Sequence, residues 1–162
     1  MRQPPVSDDE GQRAREAAFR LLAVRARSAR ELQQRLRQKR FPPKIIDQVI
    51  DDLQAKGYQS DEEFARLYAR EKWNNSGWGP ARVRRELRAK GIAQELTDQV
   101  VDETYADVDL AEAVLSLAQK RWHTTKGLPT ETRRRRAVSF LQRRGYDWET
   151  INRVLDRVRE NP

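Results

Sequence analysis

Few side chains in this sequence can do covalent or proton-transfer chemistry. There is no cysteine, so thiolate nucleophiles, thiolate metal sites and disulfides are excluded. The single histidine, His123, stands in a Thr/Lys/Gly stretch with no nucleophile beside it. Carboxylates such as Asp47, Asp51 and Asp52 fall on the polar side of a helical pattern and read as solvated charge. No glycine-rich loop follows a strand pattern, so no phosphate cradle of that kind is expected. We therefore expect no catalytic residue, no metal and no cofactor. What remains is arginine, whose planar guanidinium recognises phosphate and carboxylate through paired hydrogen bonds. Lysine and arginine number 33 against 25 acidic residues, giving a net charge of +8 and a pI near 10.2. Such a balance points to an anionic partner, most often nucleic acid or a protein assembled on it.

The arginines are gathered on particular helices. Pro80 to Ile92 reads as a complete helix: Pro80 suits the first helical position, Gly91 a left-handed stop, and Ile92 folds back on Leu87. Arg82, Arg84, Arg85 and Arg88 surround its narrow stripe of Val83 and Leu87. The same ending recurs at Leu36 to Phe41, Leu53 to Tyr58 and Leu141 to Tyr146. Aligning these stops places Leu36, Leu87 and Leu141 in register at separations of 51 and 54 residues. An array of helical repeats follows.

Capping pairs place the other helix starts: Ser7/Glu10, Ser28/Glu31, Ser60/Glu63 and Asp109/Glu112. The expected helices span about 8–25, 28–40, 43–56, 61–73, 80–90, 93–105, 109–122, 131–144 and 148–159. Asn74 to Trp78 and His123 to Pro129 are expected loops. The fold class is all-α: an elongated, curved array of three tandem three-helix repeats, whose neighbours cover one another's apolar faces. We divide the chain into a flexible arm at 1–7 and repeats at 8–58, 59–106 and 107–162. Phe19, Leu22, Val24, Phe64, Leu67 and Tyr68 are assigned inward. Of the four tryptophans, Trp73, Trp122 and Trp148 are expected to pack, and Trp78 either packs or meets a partner, base stacking included. No apolar run is long enough to cross a membrane and no apolar signal core opens the chain, so a cytoplasmic monomer is expected.

Charge divides by helix position. The middle helices carry +4, +4 and +5, whereas the third helices carry −1, −4 and −1. Acidic third helices argue against sequence-specific duplex reading by a helix-turn-helix, because Glu95, Asp98, Asp102 and Glu103 would face phosphates. The binding candidates are Arg35 and Arg37 on the first middle helix and Arg82, Arg84, Arg85 and Arg88 on the second. Arg133, Arg134, Arg135, Arg136 and Arg143 follow on the third, with Trp78 added. Arg133 and Arg134 sit at a helix N-terminus, where the dipole disfavours cations. The plain alternative is solvated helix surface, and for Lys39, Lys90 and Arg144 a cation favoured at a helix C-terminus.

The residues Gly79-Pro80-Ala81-Arg82-Val83-Arg84-Arg85-Glu86-Leu87 through Lys90-Gly91-Ile92 resemble the RecX family, regulators of the RecA recombinase. The resemblance takes in Ala18 to Arg25 with Ser28 and Glu31-Leu32, then Gly57-Tyr58 with Asp61, Phe64 and Ala65. It continues through Phe140-Leu141 and Arg144-Gly145-Tyr146, and so spans about residues 17–158. Arg40 departs from it, standing where the repeat favours glycine, and the run Arg133 to Arg136 is richer than the pattern requires. The resemblance implies a modular helical protein that binds the RecA filament along its groove and dampens recombinase, ATPase and co-protease activity. It also implies binding of single-stranded, and to some degree double-stranded, DNA.

Overall fold

The computed structural model describes residues 8–160, apart from the side chain of Glu160. The arm at 1–7, with Ser7 of the first capping pair, lies outside the described residues. Nine helices make up the described chain: α1 (Asp8–Val24), α2 (Ala29–Gln38), α3 (Pro43–Ala55), α4 (Asp61–Ser76), α5 (Pro80–Ala89), α6 (Gln94–Tyr105), α7 (Leu110–Thr124), α8 (Thr130–Arg144) and α9 (Trp148–Glu160). No strand occurs among the described residues.

Punctuation read from the sequence forms as expected. Ser28 and Glu31 make a full capping box on α2, and Ser60 and Asp109 accept from the backbone N–H groups of Glu63 and Glu112. All four stops close with the same bond, from the N–H five residues after the aligned apolar residue to its carbonyl. The pairs are Phe41–Leu36 at 3.3 Å, Tyr58–Leu53 at 2.8 Å, Ile92–Leu87 at 3.1 Å and Tyr146–Leu141 at 3.3 Å. The left-handed residue in each is Arg40, Gly57, Gly91 or Gly145, with φ of 67°, 74°, 84° and 92°. Two helices outrun their expected ends. α4 continues through Asn74-Asn75-Ser76 because the left-handed residue that ends it is Gly77 (φ 58°), and α7 continues through His123 to Thr124.

The repeats do not cover one another's apolar faces. Each closes its own core, with its third helix packed on both its first and its middle helix. Leu32, Leu36 and Ile46 lie in the first core, Phe64, Val83 and Val100 in the second, and Val114, Leu141 and Ile151 in the third. All substantial helix–helix packing is within a repeat. Leu110 alone among the described hydrophobic residues packs on two cores. Three separate cores joined end to end make the array elongated.

The joints between repeats are polar instead. At the first, Ser28 Oγ donates to the Lys90 carbonyl (2.7 Å), Lys90 Nζ donates to Glu31 Oε1 (2.9 Å), and Ala29 N–H donates to Asp61 Oδ1 (2.8 Å). At the second, Gly79 N–H donates to the Arg144 carbonyl at 2.6 Å, and the Tyr146 hydroxyl donates to the Gly77 carbonyl at 2.8 Å. Both joints have one geometry: the start of a middle helix abuts the stop of the next one. α2, α5 and α8 are thus chained start to end, which sets each positive helix N-terminus against a negative C-terminus.

Candidate functional site

The middle helices bring the candidate arginines to the surface in two groups. The first group is engaged inside the protein. Arg84 spans to α6, with Nε donating to Asp98 at 3.1 Å and Nη2 to Asp102 at 2.6 Å. Arg134 reaches α9 in the same way, meeting Asp156 at 3.1 Å and Asn152 at 2.9 Å. So part of the charge division between middle and third helices is internal neutralisation. Arg133 stacks on the Trp122 ring at 4.1 Å and donates to the Trp122 carbonyl at 2.8 Å. These contacts account for two arginines at a helix N-terminus that the dipole alone disfavours. Arg82 lies 3.7 Å from the Trp78 ring centroid and donates to the Arg143 carbonyl at 2.9 Å, so it belongs to the second joint.

The second group points to solvent. Arg85 is 69% exposed and its nearest acid is Glu86 at 3.7 Å. Arg88, Arg135, Arg136, Arg143, Arg35 and Arg37 are exposed and make no ion pair within 4.0 Å among the described residues. Arg35 donates only to Gln38, at 3.3 Å. Seven guanidinium groups on three chained helices are therefore free to meet an anion.

Trp78 is built into the structure. Besides Arg82 on its face, it meets Tyr68 edge-on at 6.5 Å, and its carbonyl accepts from the Tyr105 hydroxyl at 2.5 Å. Burial pushes the Tyr105 phenol well above its usual range, and burial likewise pushes Tyr146 up to about 12. Both hydroxyls therefore stay protonated donors on the Gly77-Trp78 carbonyls at any physiological pH. Trp73 packs edge-on with Tyr105 and Trp122 is buried, but Trp148 is 58% exposed, contrary to the packing expected of it.

Sequence reasoning assigned Lys90 and Arg144 to helix dipoles and missed their place in the joints. Lys90 shares Glu31 with Arg25, and Arg144 donates to the Ser76 carbonyl. Burial pushes the Glu31 carboxyl up, but hydrogen bonds from Arg25, Lys90 and Ser28 N–H outweigh it and hold the pKa at about 2. No local signal separates Lys90 and Arg144 from Lys56, which also stands directly before a stop glycine, three residues after Leu53, yet pairs with Asp52 of its own helix at 2.9 Å. Among the described residues no group of three His, Asp or Glu side chains could hold a metal ion.

The RecX three-helix domains match in order along the chain: the first over 14–53, the second over 60–101 and the third over 107–155. The chain belongs to the RecX family. A Regulatory protein RecX of Trichlorobacter lovleyi is 36% identical over 143 residues, covering 87% of this chain and 92% of that one. A Regulatory protein RecX of Bacillus velezensis is 33% identical over 150 residues, 93% of this chain but 57% of its own length. The crystal structure of RecX from Lactobacillus salivarius superposes with a TM-score of 0.79 over 93% of this chain and 97% of that one, at 21% identity. That likeness shows the fold. The family is one of regulatory proteins, and no helix here is long and apolar enough to cross a membrane.

Proposed function

We propose that this RecX-family chain is a non-enzymatic regulator of the RecA recombinase. It binds the RecA filament on single-stranded DNA along the filament groove, in the cytoplasm, and damps recombinase, ATPase and co-protease activity. The observation that carries the reading is the set of free arginines on the chained helices α2, α5 and α8: Arg35, Arg37, Arg85, Arg88, Arg135, Arg136 and Arg143. A filament groove repeats its acidic protein surface and its phosphates at regular intervals. An array that presents cations once per repeat can engage several such sites together, so weak contacts add as avidity. The decisive assay mixes the protein with RecA and single-stranded DNA at substoichiometric ratios and follows ATP turnover. Turnover should fall; unchanged turnover and unchanged strand exchange would sink the proposal.

A second reading, a general basic nucleic-acid-binding protein, draws on the same +4, +4 and +5 helices. It expects filaments of any single-strand-binding protein to be affected equally, through competition for the strand. Selective action on RecA filaments excludes it.

A further inference from the structure

Large apolar side chains scattered singly over a surface need no explanation, but a cluster of them does. Phe19, Tyr58 and Leu67 are 38%, 58% and 59% exposed, and Tyr58 joins the other two, meeting Phe19 on one side and sharing a hollow with Leu67 on the other. Phe19 and Tyr58 meet edge-on at 5.0 Å. Tyr58 and Leu67, with Leu22 and Phe64, line a hollow of about 240 Å³ that carries Arg27 and Glu63 at its edge. A second hollow of about 340 Å³ adjoins it, sharing Ala26, Phe64 and Leu67. Leu67 therefore stands as a divider in one trough across the first two repeats. Helical spacing assigns Phe19 and Leu67 to the core, yet the repeat cores close without them. Neither is among the residues that pack on the first or the second core.

The second hollow has a different character. Arg25, Lys72 and Lys90 line it against one carboxylate, Glu71. Glu71 is bridged to Lys72 at 3.0 Å, and Arg25 and Lys90 share Glu31, so positive charge is in excess. The ammonium groups of Lys72 and Lys90 sit 5.2 Å and 5.1 Å from the Tyr68 ring centroid.

We propose that this trough docks an amphipathic, acidic segment of a protein partner, with apolar side chains beside Leu67 in the Tyr58 hollow and carboxylates in the Lys72–Lys90 hollow. Exposed aromatic and aliphatic anchors ringed by cations suit a helix with an apolar stripe and an acidic flank. A nucleic-acid strand would stack on the exposed aromatics but leave Leu67 and Leu22 without a partner. The inference goes beyond the filament reading and is independent of it, because the trough is lined by α1, α4, the links that follow α1 and α3, and Lys90 at the end of α5, and none of the free arginines lines it.

The test is an amide-resolved NMR titration of the full chain with three probes: an amphipathic helical peptide of Leu and Glu, its Leu/Lys counterpart, and oligo-dT. The Leu/Glu peptide should shift Phe64, Leu67 and Arg25 and bind at least about tenfold more tightly than the Leu/Lys peptide. Leu67→Asp should weaken it at least about tenfold, whereas Arg85→Glu with Arg88→Glu should leave it unchanged. Leu67 is mostly exposed, so its variant should keep the wild-type melting midpoint. If it does not, Tyr58→Ser carries the same expectation. Equal affinity for both peptides, an unaffected Leu67→Asp, or oligo-dT shifting the same trough residues would each overturn the proposal. No recombinase is present in this titration. Its failure leaves the filament reading intact, and a filament indifferent to the protein leaves the trough standing.

Discussion

Replacing Gly145 by alanine should open the second joint, and Gly57→Ala is its built-in control. Both glycines are left-handed stops, at φ +92° and +74°. An added Cβ therefore costs roughly 1–2 kcal/mol of backbone strain at either position. The surroundings differ. At Gly57 a Cβ meets nothing within 4 Å; at Gly145 it would lie 2.4 Å from both Cβ and N of Arg82. Those atoms are in the first turn of α5, so no side-chain rotation relieves the overlap and the repeats must part. Parting them breaks the Gly79 N–H to Arg144 carbonyl bond (2.6 Å) and the Arg82 to Arg143 carbonyl bond (2.9 Å). At about 1 kcal/mol net for each bond, Gly145→Ala should cost about 3–4 kcal/mol in all. Arg40 supports the contrast, since it adopts φ 67° with a full side chain at the stop of the first repeat, which no preceding repeat abuts. Urea unfolding of the two variants measures the difference, expected at about 2 kcal/mol. Equal destabilisation within about 0.5 kcal/mol would refute the view of this stop as a socket for its neighbour.

Further expectations concern charge. Reversing Arg85, Arg88, Arg136 and Arg143 to glutamate should weaken salt-dependent DNA binding sharply with little loss of stability. In single-strand titrations the slope of log K against log salt should fall by about 0.7 for each phosphate contact removed. Arg84→Glu should do the converse, destabilising the second repeat by setting a third carboxylate beside Asp98 and Asp102, as thermal melts would report. Glu31 has a depressed folded pKa, so its contribution is present above the ordinary value of 4.5 and is lost as pH falls through about 2. Screened by solvent, that contribution is about 1–2 kcal/mol, and Glu31→Gln should lack this part of the acid limb in pH-dependent melts. Trp148→Ser, at a 58% exposed site, should leave the melting midpoint nearly unchanged.

Much of the fold was legible because local chemistry decides it. Each stop needs only a left-handed residue and an apolar one after it, and each start needs a capping oxygen or Pro80. Such signals act over five residues, so they survive any tertiary context. Where the chain meets itself at long range, the pattern was silent. Helical spacing sets Arg85 opposite Leu87 and so toward water, but nothing local says that Arg84, one step of about 100° away, turns toward Asp98 and Asp102. Leu67 and Phe19 fit helical spacing as well as any core residue, yet the repeat cores close without them. The joints were missed because Ser28 and Lys90 each satisfy a local rule, capping and dipole, that hides their contact across 62 positions.

Those joints tie architecture to the binding surface. Each repeat holds its own core, so the relative placement of α2, α5 and α8 rests on a few polar contacts at each boundary. The free arginines number two on α2, two on α5 and three on α8. Such small sets bind weakly alone, and linking them raises affinity only when their spacing matches the partner's. A loosened joint lowers the effective concentration of one set relative to the next without removing any charge. Gly145→Ala keeps every arginine, and it should nonetheless weaken filament binding more than Gly57→Ala does. The two boundaries should also differ in their response to salt. The first relies on the Glu31–Lys90–Arg25 ion cluster, which salt screens, whereas the second relies on carbonyl acceptors and the neutral Tyr146 hydroxyl. Rising ionic strength should therefore free the first repeat before the third, and the cations of α5 and α8 should act as one unit under conditions where those of α2 no longer do.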